Sequence, residues 1–275
     1  MKRSLLPLLA LATLLAATLT ADKLWAGDLA DLKAAGKIRI AIFGDKPPFG
    51  YVDEYGVPQG YDVFLARRIG KDLLGSDEKI EYVLVEAASR IEVLLANKAD
   101  LVLANFTVTE ERAQQVDFAK PYMKVALGVT SPKTAPITKV EQLKGKTLIV
   151  TKGTTADFYF TKNHPEIKLL KFDQNTEAFN ALVDGRGAGL AHDNTFLFAW
   201  VKYDDRFVTG IDFLGSEDTI APAIKKDRPE LLAWLNEEIV KLTKDKFFEE
   251  AYKSTLAPAF GPAVDPKTVL IENLN

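Results

Sequence analysis

The chain has 275 residues, 47% hydrophobic, 10% aromatic and 27% charged, with a formal net charge of −3. This is globular composition with length enough for a large core or two lobes. Without a basic block or a basic amphipathic run, it argues against a nucleic-acid or anionic-membrane surface. The sequence contains no cysteine, which excludes disulfides, thiolate metal sites and a Cys nucleophile; His164 and His192 lack zinc-site spacing, so no metal or other cofactor is expected.

Residues 1–26 read as a secretory leader: Lys2 and Arg3 precede an apolar run from Leu5 to Leu19 that is short for a membrane span. Ala21 and Ala26 are the candidate cleavage points, with Ala26 preferred, and no Cys near the leader's end offers a lipid attachment point. Removing residues 1–26, which carry Lys2, Arg3, Lys23 and Asp22, takes the balance from −3 to −5. An uncleaved membrane anchor is the alternative.

After the leader, Asp28–Ala35 reads as a short helix ending at Gly36, and Ile38–Phe43 as a first strand. A loop dense in Pro and Gly (GDKPPFGYVDEYGVPQG) leads to a helix over Tyr61–Leu74, with Phe64, Leu65, Ile69 and Leu73 at helical spacing. Ile80–Glu86 is a second strand, Ser89 caps a helix through Ala96, and Leu101–Ala104 is a third strand. This βαβαβ order predicts a parallel sheet with helices on both faces. Thr109 then caps a helix with Glu110 and Glu111 in its first turn. Val125–Thr130 is a strand, Thr138-x-x-Glu141 is a capping-box pattern, and Lys146–Val150 restarts the α/β rhythm. Gly153, Thr154 and Thr155 precede a helix; Ile167–Phe172 is a strand, and Asn175 or Thr176 caps a helix to about Asp184. Gly187–Ala191 is a strand that runs into a further helix, and Arg228–Lys244 and Phe247–Thr255 are helical. Two α/β units joined near 130–136 and 217–224 are thus expected, with strand ends and helix starts facing a cleft.

Three polar clusters fall at those strand ends. Asn105, Thr107 and Arg112 can converge on a carboxylate, because a guanidinium fork matches its two oxygens. Thr154 and Thr155 stand at a helix start, where free N–H groups favour an anion. Asp193 follows an apolar strand and can neutralise an ammonium. Together they complement a zwitterion, whose two charges must both be matched when buried. Each has a plainer reading: Arg112 pairs with Glu110 or Asp117 on a solvated helix, the threonines only cap, and Asp193 is itself an N-cap. Phe49 either stacks on a ligand or fills the core, and Arg90 is a second ligand cation or a solvated helix residue. His192 and Tyr122 are read as packed or hydrogen-bonded neighbours.

The segments GDKPPFGY, QGYDVFLARRIG, ANFTVTEERAQQVDF, KGTTADFYF and AHDNTFLFAW, in this order, resemble the extracytoplasmic solute-binding proteins of polar amino-acid ABC importers, over Asp28 to about Asn275. Within that family the chain is similar to a cysteine-binding member, through LVEAASRIEVL, DFAKPYMKVALGV, DQNTEAF and IAPAIKK. The resemblance implies an α/β, two-lobed periplasmic-binding-protein fold of type II, with a hinge between two mixed-sheet lobes: 28–130 plus 222–275, and 131–221. It implies Arg112 with Thr107 on the ligand's α-carboxylate and the Asn105 carbonyl on its ammonium. Thr155, beside Thr154, adds carboxylate contacts, Asp193 holds the ammonium, Phe49 covers the ligand, and Arg90 matches an Arg used on acidic side chains. Acidic-ligand members carry Lys or Arg near the end of the first strand, where this chain has Phe43, which suits a smaller, less charged side chain. The expected function is capture of an L-amino acid, cysteine, by cleft closure and its delivery to an ABC importer permease, by a soluble periplasmic monomer that is not an enzyme. The alternatives are another polar amino acid (glutamine, aspartate or glutamate), a cleft-based dehydratase on the same scaffold, and a receptor or adhesion role.

Overall fold

The computed structural model describes residues 28–262, 264–272 and 274. The leader read over 1–26 lies outside these described residues. Helix α1 (Asp28–Ala35) leads to strand β1 (Ile38–Phe43) and to a small antiparallel meander of β2 (Asp45–Lys46), β3 (Gly50–Val52) and β4 (Pro58–Gln59). Helix α2 (Tyr61–Leu74), β5 (Ile80–Val85), α3 (Arg90–Leu95), β6 (Leu101–Val102), α4 (Glu110–Ala113) and β7 (Val116–Phe118) follow. Strand β8 (Met123–Pro132) opens a second unit of β9 (Thr147–Thr151), α5 (Thr155–Asn163), β10 (Lys168–Phe172), α6 (Asn175–Val183), β11 (Gly189–Asp193) and α7 (Asn194–Tyr203). Strand β12 (Phe207–Ile220) returns to β13 (Ala223–Lys225), and α8 (Pro229–Lys244), α9 (Phe247–Ala251) and α10 (Ala257–Phe260) come last.

The fold is two-lobed, each lobe built on a mixed sheet. The first sheet runs β5-β1-β6-β13-β7, the second β10-β9-β11-β8-β12. In the first, β1 lies parallel to β5 and β6, as the βαβαβ order predicts, and β13 adds antiparallel. In the second, β9 is parallel to β10 and β11, and β8 and β12 add antiparallel. Strands β1 and β11 are buried almost throughout and lie inside their sheets, paired on both edges. Helix α2 buries Val63, Leu65, Ala66, Ile69 and Leu73, and stops where Gly75 takes a left-handed φ of +83° and donates to the Lys71 carbonyl. Helix α8 starts on Pro229 and buries Leu231, Leu235, Ile239 and Leu242.

The chain passes between the lobes on two strands paired to each other. Strand β8 pairs antiparallel with β12 from Met123↔Ile220 to Pro132↔Phe207, with register shifts along the way. At the first-lobe end, Val108 N–H donates to the Thr219 carbonyl (2.9 Å) and Tyr122 N–H to that of Ile220 (2.9 Å). The first junction therefore falls earlier than the Pro-bearing stretch 130–136. Leu127–Thr130 already pairs with β11, so the second sheet begins inside the segment expected to close the first lobe.

Other local readings shift for identifiable reasons. The third strand ends at Val102. Ser89 closes a 3-10 turn and donates its hydroxyl back to the Glu86 carbonyl (3.1 Å) instead of capping α3. At the capping-box pattern it is Gln142, not Glu141, that reaches back, accepting from the N–H groups of Thr138 (2.7 Å) and Lys139 (2.9 Å). The N-terminus of α6 is capped by neither Asn175 nor Thr176 but by a residue of the other lobe, described below.

The turn Pro47–Gly50 is tied to the start of α2, where Tyr61 N–H donates to the Pro48 carbonyl and Asp62 N–H to that of Phe49, both at 2.9 Å. Two N–H groups that a helix start leaves without intrahelical partners are thereby satisfied by the loop that carries Lys46 and Phe49. Gly60 makes this possible: its φ is +113°, and a Cβ there would lie 2.3 Å from the Phe49 carbonyl oxygen. Gly60→Ala is expected to destabilise the protein by about 2–4 kcal/mol, since it adds both a clash and a strained φ. Urea denaturation of the two proteins measures it.

Candidate functional site

On the first lobe, Arg112 sits in the short helix that Thr109 caps, the Thr109 hydroxyl accepting from Arg112 N–H at 3.3 Å. Its guanidinium is 5% exposed, donates to the Thr107 carbonyl (2.7 Å) and lies 4.6 Å from the centre of the Phe106 ring. Burial pushes it down to about 10. The solvated-helix reading thus fails: Arg112 has no bond to Glu110 or Asp117, and Asp117 pairs with Lys226. Arg90, 3% exposed, donates to the carbonyls of Ala87 (2.9 Å), Ala104 (3.1 Å) and Asn105 (3.2 Å), and stands 4.3 Å from the Phe106 ring centre. Desolvation holds it well below the usual guanidinium range.

Asn105 turns the chain at the end of this strand with a left-handed φ of +43°, a conformation Asn tolerates better than most residues. Its N–H donates to Asp62 Oδ2 (2.8 Å), and Tyr122 donates its hydroxyl to Asp62 Oδ1 (2.7 Å). Burial lifts the Asp62 carboxyl to about 6, against the hydrogen bond from Tyr122 and the nearby Lys46 charge. Thr107 is buried, and its hydroxyl has no hydrogen-bond partner among the described residues.

On the second lobe, the Gly153 carbonyl between β9 and α5 accepts from both guanidinia, from Arg112 Nη2 at 2.9 Å and from Arg90 Nη2 at 3.1 Å. The backbones meet so closely that a Cβ on Gly153 (φ +72°) would lie 2.6 Å from Ala88 Cα. Thr154 caps α5: its hydroxyl accepts from Asp157 N–H (3.2 Å) and donates to the Thr151 carbonyl (2.7 Å). Thr155 Oγ1 instead points to Asp193 Oδ1, at 3.5 Å. Asp193 occupies the N-cap position of α7 but makes no side-chain cap bond.

The Asp193 carboxylate, 4% exposed, is turned to Lys46 of the first lobe, whose ammonium lies 2.7 Å from Oδ2. That ammonium, 1% exposed, also donates to Asn105 Oδ1 (2.6 Å) and stands 5.1–5.6 Å from the ring centres of Phe43, Phe49 and Phe196. Burial acts to raise the Asp193 carboxyl, and the Lys46 charge and hydrogen bond together with the neighbouring His192 more than offset it, holding the group well below the usual carboxylate range. The N–H of Asp193 donates to His192 Nδ1 (2.7 Å), so the His192 proton sits on Nε2 and is donated to Asn175 Oδ1 (3.1 Å). Burial lowers the His192 pKa, which fits the neutral ring.

The residue before Lys46 also reaches across. Asp45 accepts from Asn175 N–H (2.7 Å), Thr176 N–H (3.3 Å) and Asn175 Nδ2 (3.0 Å), capping α6 of the opposite lobe. Two adjacent side chains of the first lobe therefore hold the starts of α6 and α7. Beside this contact opens a cleft of about 530 Å³, lined by Ile91, Phe106 and Arg112 on one side and Leu127, Thr155 and Tyr159 on the other. Its size suits a small-molecule site. Among the described residues no group of acidic, His or Cys side chains is arranged to hold a metal ion, and no helix is long and apolar enough to cross a membrane.

Of the expected residues, Arg112 and Thr155 line the cleft, while Arg90, Asn105, Thr107 and Asp193 form the buried cluster behind it. Phe49 is fully buried against Phe196 and Phe260, both rings at 6.5 Å, so its observed role is packing where the lobes meet. Lys46, Asp45, Asp62 and Gly153 were missed. The one available signal for Lys46 was a lysine enclosed by Phe43, two prolines and Phe49 in a loop already flagged for its aromatic residue.

Gly153→Ala is expected to weaken ligand binding at least tenfold while each lobe stays folded, because the new methyl collides with Ala88 only when the lobes meet. Calorimetric titration beside a thermal melt tests this. For Asp62, a carboxyl raised to about 6 from an unfolded value near 3.9 takes up a proton on folding between the two. Its contribution to stability is greatest below about pH 4 and falls away as the pH rises to 6, by roughly 3 kcal/mol. Urea denaturation across that window should show this slope in the natural protein and a flatter one in Asp62→Asn.

Residues 38–256 match the family of bacterial extracellular solute-binding proteins, family 3. The solute receptor for L-cysteine of Neisseria gonorrhoeae is 57% identical, with a TM-score of 0.87 over 89% of this chain and 99% of that one. The cysteine-binding protein of Campylobacter jejuni is also 57% identical, with a TM-score of 0.88 over 90% of this chain and 100% of that one. The ABC transporter glutamine-binding protein of Bacillus subtilis is 31% identical over 228 residues, 82% of this chain and 83% of its own. With two mixed-sheet lobes, a charged cluster where they meet and a family match over most of its length, this chain belongs to the family 3 bacterial extracellular solute-binding proteins.

Proposed function

We propose that the protein captures an L-amino acid, cysteine, between its lobes and delivers it to the membrane permease of an ABC importer, acting as a periplasmic monomer after loss of its leader. The observation that carries this reading is the distribution of charge across the lobes. Two guanidinia and a free hydroxyl (Arg90, Arg112, Thr107) stand on the first lobe opposite a buried carboxylate, Asp193, on the second. This is the complement of a zwitterion, and it comes together only when the lobes close. The ligand carboxylate goes to Arg112, with the hydroxyls of Thr107 and Thr155. The ammonium goes to the Asp193 oxygen on the Thr155 side, because Lys46 already holds the other. The choice of cysteine is supported by 57% identity, over about nine-tenths of the chain, to two proteins named for binding it.

A dehydratase on the same scaffold would need a proton-donating acid facing the cleft. Asp193 is ionised and paired, Asp62 is enclosed by Tyr122 and Asn105, Glu86 is exposed, and Glu111 and Asp218 stand at the cleft mouth, away from the sealed cluster. The geometry favours a binder over a catalyst.

The test is calorimetry on protein unfolded, dialysed and refolded to strip carried-over ligand, with L-cysteine under reductant, serine, glutamine, aspartate and glutamate. Cysteine is expected to bind at micromolar Kd or tighter, about −8 kcal/mol or better. Arg112→Ala should weaken this by roughly 100-fold or more, the size of a lost buried charge-assisted contact, with the fold intact by circular dichroism. Tight binding of a different amino acid would reassign the ligand, and silence across the panel from a folded protein would overturn the capture reading.

A further inference from the structure

The buried cluster between the lobes is not electrically balanced. It holds three cations, Arg90, Arg112 and Lys46, and two carboxylates, Asp62 and Asp193, none more than 5% exposed. Lys46 is taken by Asp193, and Asp62 uses its oxygens on Tyr122 and Asn105. Neither guanidinium is ion-paired to a carboxylate among the described residues, and their partners are the backbone carbonyls of Ala87, Ala104, Asn105, Thr107 and Gly153. His192 is neutral by its hydrogen bonds, and the Tyr122 phenol facing Arg90 keeps its proton. Glu111 and Lys162 are exposed at the cleft mouth, where solvent screens them, and Asp218, half-buried there, acts on Arg112 from outside this sealed cluster. Among the five sealed groups one positive charge is left over, and Arg90 is the cation that no carboxylate at the cleft mouth reaches.

A zwitterion carries no net charge and leaves that excess in place, at a cost of the order of several kcal/mol for an unmatched buried ion. We propose, resting on the reading of cysteine as the ligand, that the site takes it as the thiolate, a species of net charge −1, with Arg90 as the residue that selects this form. The two guanidinia already share one acceptor, the Gly153 carbonyl oxygen, at 2.9 and 3.1 Å. A point where two donor-only groups converge favours an anionic atom over a neutral one. A guanidinium has no acceptor for a thiol proton, whereas a thiolate sulfur accepts from it, and electropositive surroundings are what drive thiols to ionise near neutral pH. The S–H bond breaks on binding, the electron pair stays on sulfur, and the proton passes to the buffer.

The experiment titrates the natural protein with L-cysteine under a non-thiol reductant, near neutral pH, in two buffers of different ionisation heat, and records the ultraviolet difference spectrum. A free thiol is almost wholly protonated there, so about one proton should be released per cysteine bound, and thiolate absorbance should appear. Below the free thiol's pKa, Kd should also fall about tenfold for each unit by which the pH is raised. In Arg90→Gln the proton release and the thiolate band should both be lost; if that variant does not fold, the proton count of the natural protein decides alone. Tight cysteine binding with neither proton release nor thiolate absorbance would overturn the proposal and leave amino-acid capture standing. No cysteine binding at all would overturn the ligand reading, and this proposal with it.

Discussion

Matching buried charge is the constraint on which this molecule's architecture turns. The Lys46 ammonium and the Asp193 carboxylate belong to different lobes, are nearly sealed from solvent, and meet at 2.7 Å. Separating such a pair without water or another partner costs several kcal/mol, far more than a surface ion pair is worth. The same logic governs Arg90 and Arg112, whose donors reach across to a carbonyl of the second lobe. Phe49 against Phe196 adds apolar cohesion, but that force is non-directional. The polar contacts are the ones that fix how the lobes meet.

Adjacent residues with opposite charge make this economical in sequence. Asp45 reaches the first N–H groups of α6, where a helix offers unpaired donors and a partial positive charge, and Lys46 reaches the carboxylate at the start of α7. Through Asn175 and His192 the two grips are joined into one hydrogen-bonded chain running from Asp45 to the backbone of Asp193. The dipeptide is held in position by the Pro47–Gly50 turn tied to α2, so an element far from the second lobe in sequence sets its alignment. The paired strands β8 and β12 carry the chain between lobes, which confines relative motion to bending about that ribbon.

Close approach is the other requirement, and glycine meets it. At Gly153 and Ala88 the backbones of the two lobes come nearer than any side chain would allow. That proximity brings the Gly153 carbonyl within reach of two arginines, and it joins two facts that look unrelated in the sequence: a Gly-Thr-Thr helix start and a pair of arginines in separate helices.

The sequence by itself determined what depends on local chemistry. Strand Ile38–Phe43 and helix Tyr61–Leu74 were legible to the residue, because apolar periodicity and a terminal glycine act over a few neighbours. Thr109 as a cap was legible for the same reason. Tertiary structure decided everything that depends on a distant partner. Thr154 caps while Thr155 faces across the lobes; Asp193, at a cap position, bonds to a lysine 147 residues away; and α6 takes its cap from Asp45, 130 residues earlier. The first inter-lobe junction, sought at the extended Pro-bearing segment 130–136, falls earlier, inside strand β8, because Leu127–Thr130 already pairs with β11 of the second sheet. Local sequence names the groups that can bear charge, and only the folded arrangement settles which opposite charge each one meets, because long-range pairing leaves no periodic trace along the chain.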